Sequence, residues 1–182
     1  MEKSIGIVEF RSIAIGIGAI DRIVKASDVK ILDAKSICPG KYYIMFAGSV
    51  SAVSSSMNVV LEESKNFIID WAKISNVYPQ IFTSLNQTSS IKELKSIGVI
   101  ETLTSPSILI AADAAVKATS VDLVEIRIAR ALGGKNICVI NGDVSSVNES
   151  VRVGIEYAQK KDFLVDYQII PSPHQDLYRA IM

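Results

Sequence analysis

The sequence predicts an α/β protein of the α+β kind in which one small domain is built twice. Three internal matches predict it. Ser4-Ile5-Gly6-Ile7-Val8-Glu9 returns as Ser96-Ile97-Gly98-Val99-Ile100-Glu101. Asp21, Lys25, Ala26 and Val29 return in the same frame as Asp113, Lys117, Ala118 and Val121. Gly48-Ser49-Val50-Ser51 returns as Gly142-Asp143-Val144-Ser145. The first two matches lie 92 residues apart (6 to 98, 21 to 113) and the third 94 (48 to 142), so the second copy has gained two residues. A period of that length suits a duplicated domain rather than a solenoid repeat. It divides the 182 residues into a first domain, 1–86, a polar linker, 87–95, and a second domain, 96–182. Two copies in one chain imply pseudo-symmetry, and with it assembly.

Each copy has the same predicted order of elements. Residues 4–10 are rich in β-branched side chains and read as a buried strand that Glu9 closes. Small and apolar residues from Ile13 to Ala26 predict a closely packed helix, matched by 106–118, where Pro106 suits a first turn. Val29–Ile37 and Tyr42–Ala47 read as strands joined by a Pro/Gly turn, and Val121–Ala129 and Asn136–Asn141 correspond to them. A second helix starts near Val50 and near Val144, with Ser49 and Asp143 as expected N-caps. Phe67–Val77 and Phe163–Ile170 supply the last strands, each followed by a short segment after Pro79 or Pro173. The order β-α-β-β-α-β with antiparallel pairing is that of a ferredoxin-like sandwich.

Composition limits the function. Nineteen basic and nineteen acidic residues cancel, which argues against the basic footprint of a nucleic-acid-binding protein. Hydrophobic residues make up 49%, yet no apolar run reaches the roughly 20 residues of a membrane helix. The start, Met1-Glu2-Lys3-Ser4, lacks a signal-peptide layout. The surplus apolar surface is expected to meet other subunits rather than lipid. Two cysteines fit a reducing cytoplasm.

Few residues suggest chemistry. Cys138 lies in an apolar strand and reads as buried and structural. Cys38 stands in the turn Cys38-Pro39-Gly40, where Pro39 fixes its own φ and Gly40 tolerates a positive one. From spacing alone Cys38 reads as a loop thiol, since no second cysteine lies nearby. Lys25 and Lys117 each follow an Asp by four residues, the spacing of a surface helical ion pair. His174, the one histidine, has only Asp176 nearby, which is too little for a metal site. The serines 49, 51, 54, 55 and 56 lack a nucleophile elbow and a nearby base, and read as small residues on a packed helix. Gly16 and Gly18 are not followed by the Lys-Ser/Thr of a phosphate loop. Trp71, Phe67 and Tyr78 read as core or interface. No acid–base pair indicates an enzyme.

Four motifs in order, two of them in duplicate, carry a resemblance. They are Gly6-x-x-Glu9 with Gly98-x-x-Glu101, Asp-x-x-x-Lys-x-x-x-Val, Gly142-Asp143-Val144, and Ile170-Pro171-Ser172-Pro173-His174. In these the chain resembles the bacterial microcompartment shell proteins of the tandem-domain, trimer-forming class. The resemblance implies two tandem BMC domains per chain and a flat pseudohexameric homotrimer. Such tiles pack with other shell proteins around a set of enzymes in the cytoplasm.

Loops at the tile centre would surround a pore. They correspond to Ser36, Ile37, Cys38, Pro39 and Gly40 in the first copy and Arg130, Ala131, Leu132, Gly133 and Gly134 in the second. The turn Cys38-Pro39-Gly40 is similar to that of the subgroup associated with propanediol-utilisation shells. There a cysteine at this position binds an iron–sulfur cluster on the trimer axis. The resemblance thus implies one cluster per trimer, of the [4Fe-4S] type, held by three copies of Cys38. Its fourth ligand would come from water, a small molecule or a partner protein, since such clusters usually take four thiolates. Electrons, or the cluster itself, would pass through the shell, with an encapsulated or external redox protein as a further partner. The alternatives are a cluster-free gated pore for metabolites and, more remotely, a small-molecule-binding regulatory trimer. Lys25 and Lys117 become tile-edge contacts in this reading. The family commonly has Arg where Ser172 stands between Pro171 and Pro173, which weakens the expected edge packing.

Overall fold

The computed structural model describes residues 4–85, 93, 95–129 and 133–177. Its elements follow the predicted order. The first copy comprises β1 (Ser4–Phe10), α1 (Ile13–Ala26), β2 (Val29–Ile37), β3 (Lys41–Gly48), α2 (Val50–Glu63), β4 (Ile68–Ser75) and the short α3 (Gln80–Leu85). The second comprises β5 (Ser96–Thr102), α4 (Ser105–Ala118), β6 (Asp122–Arg127), β7 (Asn136–Gly142), α5 (Val144–Lys160) and β8 (Leu164–Ile170). No described helix is long and apolar enough to cross a membrane.

The two sheets have orders β2-β3-β1-β4 and β6-β7-β5-β8, and every pairing within them is antiparallel. The registers coincide, with Glu9 opposite Asp70 in one sheet and Glu101 opposite Asp166 in the other. The repeated strand glycines have a packing cause. A Cβ on Gly6 would run into the Phe46 ring, and one on Gly98 would lie 2.8 Å from both Ile140 and Val151 side chains.

In the first copy, α1 and α2 cover a core that includes Phe10, Ile23, Phe46, Val53 and Met57, all fully buried. Ser56 Oγ joins the helices by donating to the Ile23 carbonyl at 2.8 Å. Its counterpart, Ser150 Oγ, donates to the Ala115 carbonyl at 2.8 Å. Ser56 is therefore a packing residue, as expected of the serines here, whereas Ser49, Ser51 and Ser55 are exposed.

Several details differ from expectation. The strand expected over 67–77 covers only Ile68–Ser75, because Phe67 closes a 3-10 turn, Lys65–Phe67. The strand expected over 121–129 covers Asp122–Arg127. Ser49 caps α2 by accepting from the Ala52 N–H at 3.1 Å. Asp143 holds the N-cap position of α5 without a capping bond, and its carboxylate pairs with Lys95 Nζ at 3.1 Å.

The chain forms two compact units. Unit 1 is Met1–Val77 with Thr104–Ser107 and Ala129–Gly134, and unit 2 holds the remainder. In unit 2, α3 lies along β6: Ser84 Oγ donates to the Leu123 carbonyl at 2.8 Å, and Gln80 Oε1 accepts the Leu123 N–H at 2.9 Å.

Candidate functional site

β2 ends at the buried Ile37 and β3 begins at Lys41, which leaves Cys38, Pro39 and Gly40 as the exposed tip of a tight turn. Ser36 beside them is exposed as well. The Cys38–Pro39 bond is cis, and Gly40 has the positive φ (69°) expected of it. The Cys38 N–H donates to the Ala129 carbonyl at 2.9 Å, so the thiol-bearing residue is anchored through its backbone while its side chain faces outward.

Unit 1 also places Gly134 against this turn. Gly134 has φ 88°, and a Cβ there would lie 2.8 Å from Pro39 Cδ and 3.2 Å from the Cys38 carbonyl oxygen. Of the five loop residues expected from the second copy, Arg130, Ala131 and Leu132 lie outside the described residues. Gly133, with φ 60°, has nothing within reach of a Cβ.

No group of three His, Cys, Asp or Glu able to hold a metal ion occurs among the described residues. One chain thus offers a cluster a single exposed thiol, which fits a shared site and not a site within one chain. Cys138 is fully buried, and burial pushes its thiol up to about 12. It is structural, as expected.

A second cluster of polar residues in unit 1 was not anticipated from the sequence. Glu9 is fully buried in β1. One carboxylate oxygen accepts from Lys41 Nζ at 2.7 Å and the other from the Ser105 N–H at 2.7 Å. Its cross-strand neighbour Asp70, 5% exposed, accepts the Thr104 hydroxyl at 2.5 Å, the Ser107 hydroxyl at 2.9 Å and the Trp71 N–H at 2.9 Å. Burial raises the Asp70 carboxyl above its ordinary value, and the Thr104, Ser107 and Trp71 hydrogen bonds oppose the shift. Thr104 also caps α4 by accepting the Ser107 N–H at 3.3 Å. Two carboxylates thus receive a helix N-terminus, where orphan N–H groups and the helix dipole favour negative charge. The sequence held one signal of this, a Thr-Ser-Pro helix start facing no obvious acidic partner.

Lys25 and Lys117 each pair with the Asp four residues before, at 2.7 and 2.5 Å. In the second pair Lys117 is exposed but Asp113 is not: it is 6% exposed and also accepts the Tyr78 N–H at 2.8 Å. His174 and Asp176 are exposed and meet at 3.3 Å. Trp71 and Phe67, at 39% and 40% exposure, are not core residues of this chain.

With this geometry in place, comparison with known proteins is specific. The BMC domain model matches residues 4–77 and again residues 96–173. The bacterial microcompartment shell protein PduT of Citrobacter freundii is 35% identical over 182 residues, covering 100% of this chain and 99% of its own. A microcompartment protein from Desulfitobacterium hafniense DCB, solved by crystallography, is 42% identical. It covers 98% of this chain and 99% of its own, with a TM-score of 0.86. The carboxysome assembly protein CcmO of Synechocystis sp. (strain PCC 6803) is 25% identical over 196 residues, 99% of this chain and 65% of its own length.

Proposed function

The chain belongs to the BMC-domain family of bacterial microcompartment shell proteins, and from that premise we propose that three copies close into a pseudohexameric tile carrying an iron–sulfur cluster at its centre. The role of the chain is structural, a shell component and not an enzyme. In the proposed tile, the two loops of each chain alternate around the axis. Residues 36–40 and 130–134 would line the opening, and Lys25 and Lys117 would lie at the tile edges that meet other shell proteins.

The observation that carries the metal reading is the asymmetry of the two loops. Only the first loop has a thiol, exposed at the tip of a turn, whereas the second has Gly133 and Gly134 there. A three-fold ring thus brings three Cys38 thiols to one place and no competing ligand from the second loop. A [4Fe-4S] cluster bound there would supply one-electron transfer across the shell. The contribution of this chain is to hold Cys38: the Ala129 carbonyl fixes its backbone, and Gly134 lets the second loop close against Pro39.

The test is anaerobic purification followed by iron and acid-labile sulfide analysis, with oligomer mass from light scattering. The expected result is a brown trimer whose colour and iron are lost in Cys38→Ser and retained in Cys138→Ser. A trimer that stays iron-free after anaerobic reconstitution defeats the cluster and leaves a pore for metabolites.

A further inference from the structure

The thiol turn has one more anchor, and this one is charged. Lys41 opens β3 and faces Ile37 in the register, so the two bracket Cys38, Pro39 and Gly40. The Lys41 ammonium is drawn onto the Glu9 carboxylate of β1 at 2.7 Å, with side chains 17% and 0% exposed. The second Glu9 oxygen accepts the Ser105 N–H at 2.7 Å, which fixes the carboxylate from its other side. Tyr43, opposite Glu9 in the register, is fully buried as well. The second copy repeats the pair without the burial. Lys135 and Glu101 stand in the equivalent places (41 to 135, 9 to 101) and meet at 3.2 Å, with side chains 47% and 29% exposed. Ile137, in the place of Tyr43, is half-buried. A surface ion pair fixes little, because solvent screens it and both side chains stay mobile. A buried pair holds its geometry, because parting it strands a charge away from water. Only the thiol-bearing copy has the buried form.

We propose that Lys41 and Glu9 are positioning residues for the thiol site: the buried pair fixes the base of the Cys38 turn and balances the charge beside it. This role rests on the cluster reading above. The potential of a bound cluster responds to nearby net charge and to the groups that orient its ligands. In the pair each charge opposes the other. Loss of the Glu9 charge leaves an excess of positive charge, which favours the reduced, more negative cluster and raises the potential. Loss of the Lys41 charge leaves an excess of negative charge and lowers it. A pair that only stabilised the fold would carry no such sign, since both losses cost stability alike.

The test compares Glu9→Gln, Lys41→Gln and the double variant by anaerobic redox titration of the reconstituted protein, followed by electron paramagnetic resonance. The expected result is a midpoint above wild type in Glu9→Gln, below it in Lys41→Gln and close to it in the double variant. Shifts of one sign, or no shift in a protein that holds its iron, overturn the role of the pair and leave the cluster standing. Glu9→Gln keeps the side-chain shape and an oxygen for the Ser105 N–H, so it decides alone if Lys41→Gln does not fold by circular dichroism. The metal-free chain supplies a second measurement, the rate at which iodoacetamide alkylates Cys38. That rate is expected to change several-fold in Glu9→Gln and Lys41→Gln and to stay near wild type in Lys135→Gln, which breaks the exposed pair. Equal rates throughout contradict the positioning. A wild type that stays iron-free after reconstitution defeats the cluster, and alkylation then decides the positioning by itself.

Discussion

Gly134 lies directly against Pro39, so close that a Cβ at position 134 would stand 2.8 Å from Pro39 Cδ. Its φ of 88° is a second reason for glycine. Gly133 shares only the positive φ (60°), with open space where a Cβ would go. The two glycines thus separate backbone strain from loop-to-loop contact.

Gly133→Ala is expected to cost about 1–2 kcal/mol through the left-handed backbone alone. Gly134→Ala adds a clash with a proline ring that has little freedom to move. It is expected to displace the Cys38 turn. Alkylation kinetics of Cys38 check this: the rate changes several-fold in Gly134→Ala and stays near wild type in Gly133→Ala.

The two thiols differ in the same way at every level. Cys38 is exposed, while Cys138 is fully buried with its thiol pushed up to about 12. At about pH 8 the native chain is expected to react with one equivalent of an alkylating reagent, and the denatured chain with two. Peptide mapping should place the native label on Cys38. A label on Cys138 in the native chain would contradict the burial.

Glu9 and Glu101 occupy equivalent places and predict different mutant behaviour. Glu9→Ala removes a fully buried carboxylate together with its bonds to Lys41 and the Ser105 N–H, and is expected to cost about 1.5–3 kcal/mol. Glu101 pairs with Lys135 at 3.2 Å in a partly exposed site, and in dilute solution its loss is expected to cost less than about 1 kcal/mol. Urea unfolding of both variants measures the two costs.

The repeat made the elements legible, and α1 spans the predicted Ile13–Ala26 because small residues and a Ser12 cap delimit it. Long-range polar partnerships were not legible. Ser105 and Glu9 are 96 residues apart, and Thr104 and Asp70 are 34 apart; no spacing rule connects such pairs. Nor was the pairing of Asp143 with Lys95, 48 residues away, legible. Lys117 looked like Lys25 in sequence, and spacing does not show that its partner Asp113 is buried and bound to the Tyr78 N–H. In the thiol turn, the local chemistry of Pro39 and Gly40 was readable, whereas the bracing by Gly134 depends on a loop from the other copy.

Asp70 makes the stability of the chain depend on pH in an unusual direction. Burial raises its carboxyl above the ordinary 3.8 despite the hydrogen bonds from Thr104, Ser107 and Trp71. The native state therefore holds a proton at pH values where the unfolded chain has released it. By linkage, stability falls as pH rises from about the ordinary carboxylate value to the raised native one, and no further loss from this group follows above it. A carboxylate lowered by its partners would show the opposite slope. Asp70→Asn removes the titration while keeping the side-chain shape. Its stability relative to wild type is expected to improve as pH rises through that window and then to level off. Urea unfolding of both proteins across the mildly acidic range checks this. A difference that is flat throughout, or that shifts toward wild type with rising pH, contradicts a raised Asp70.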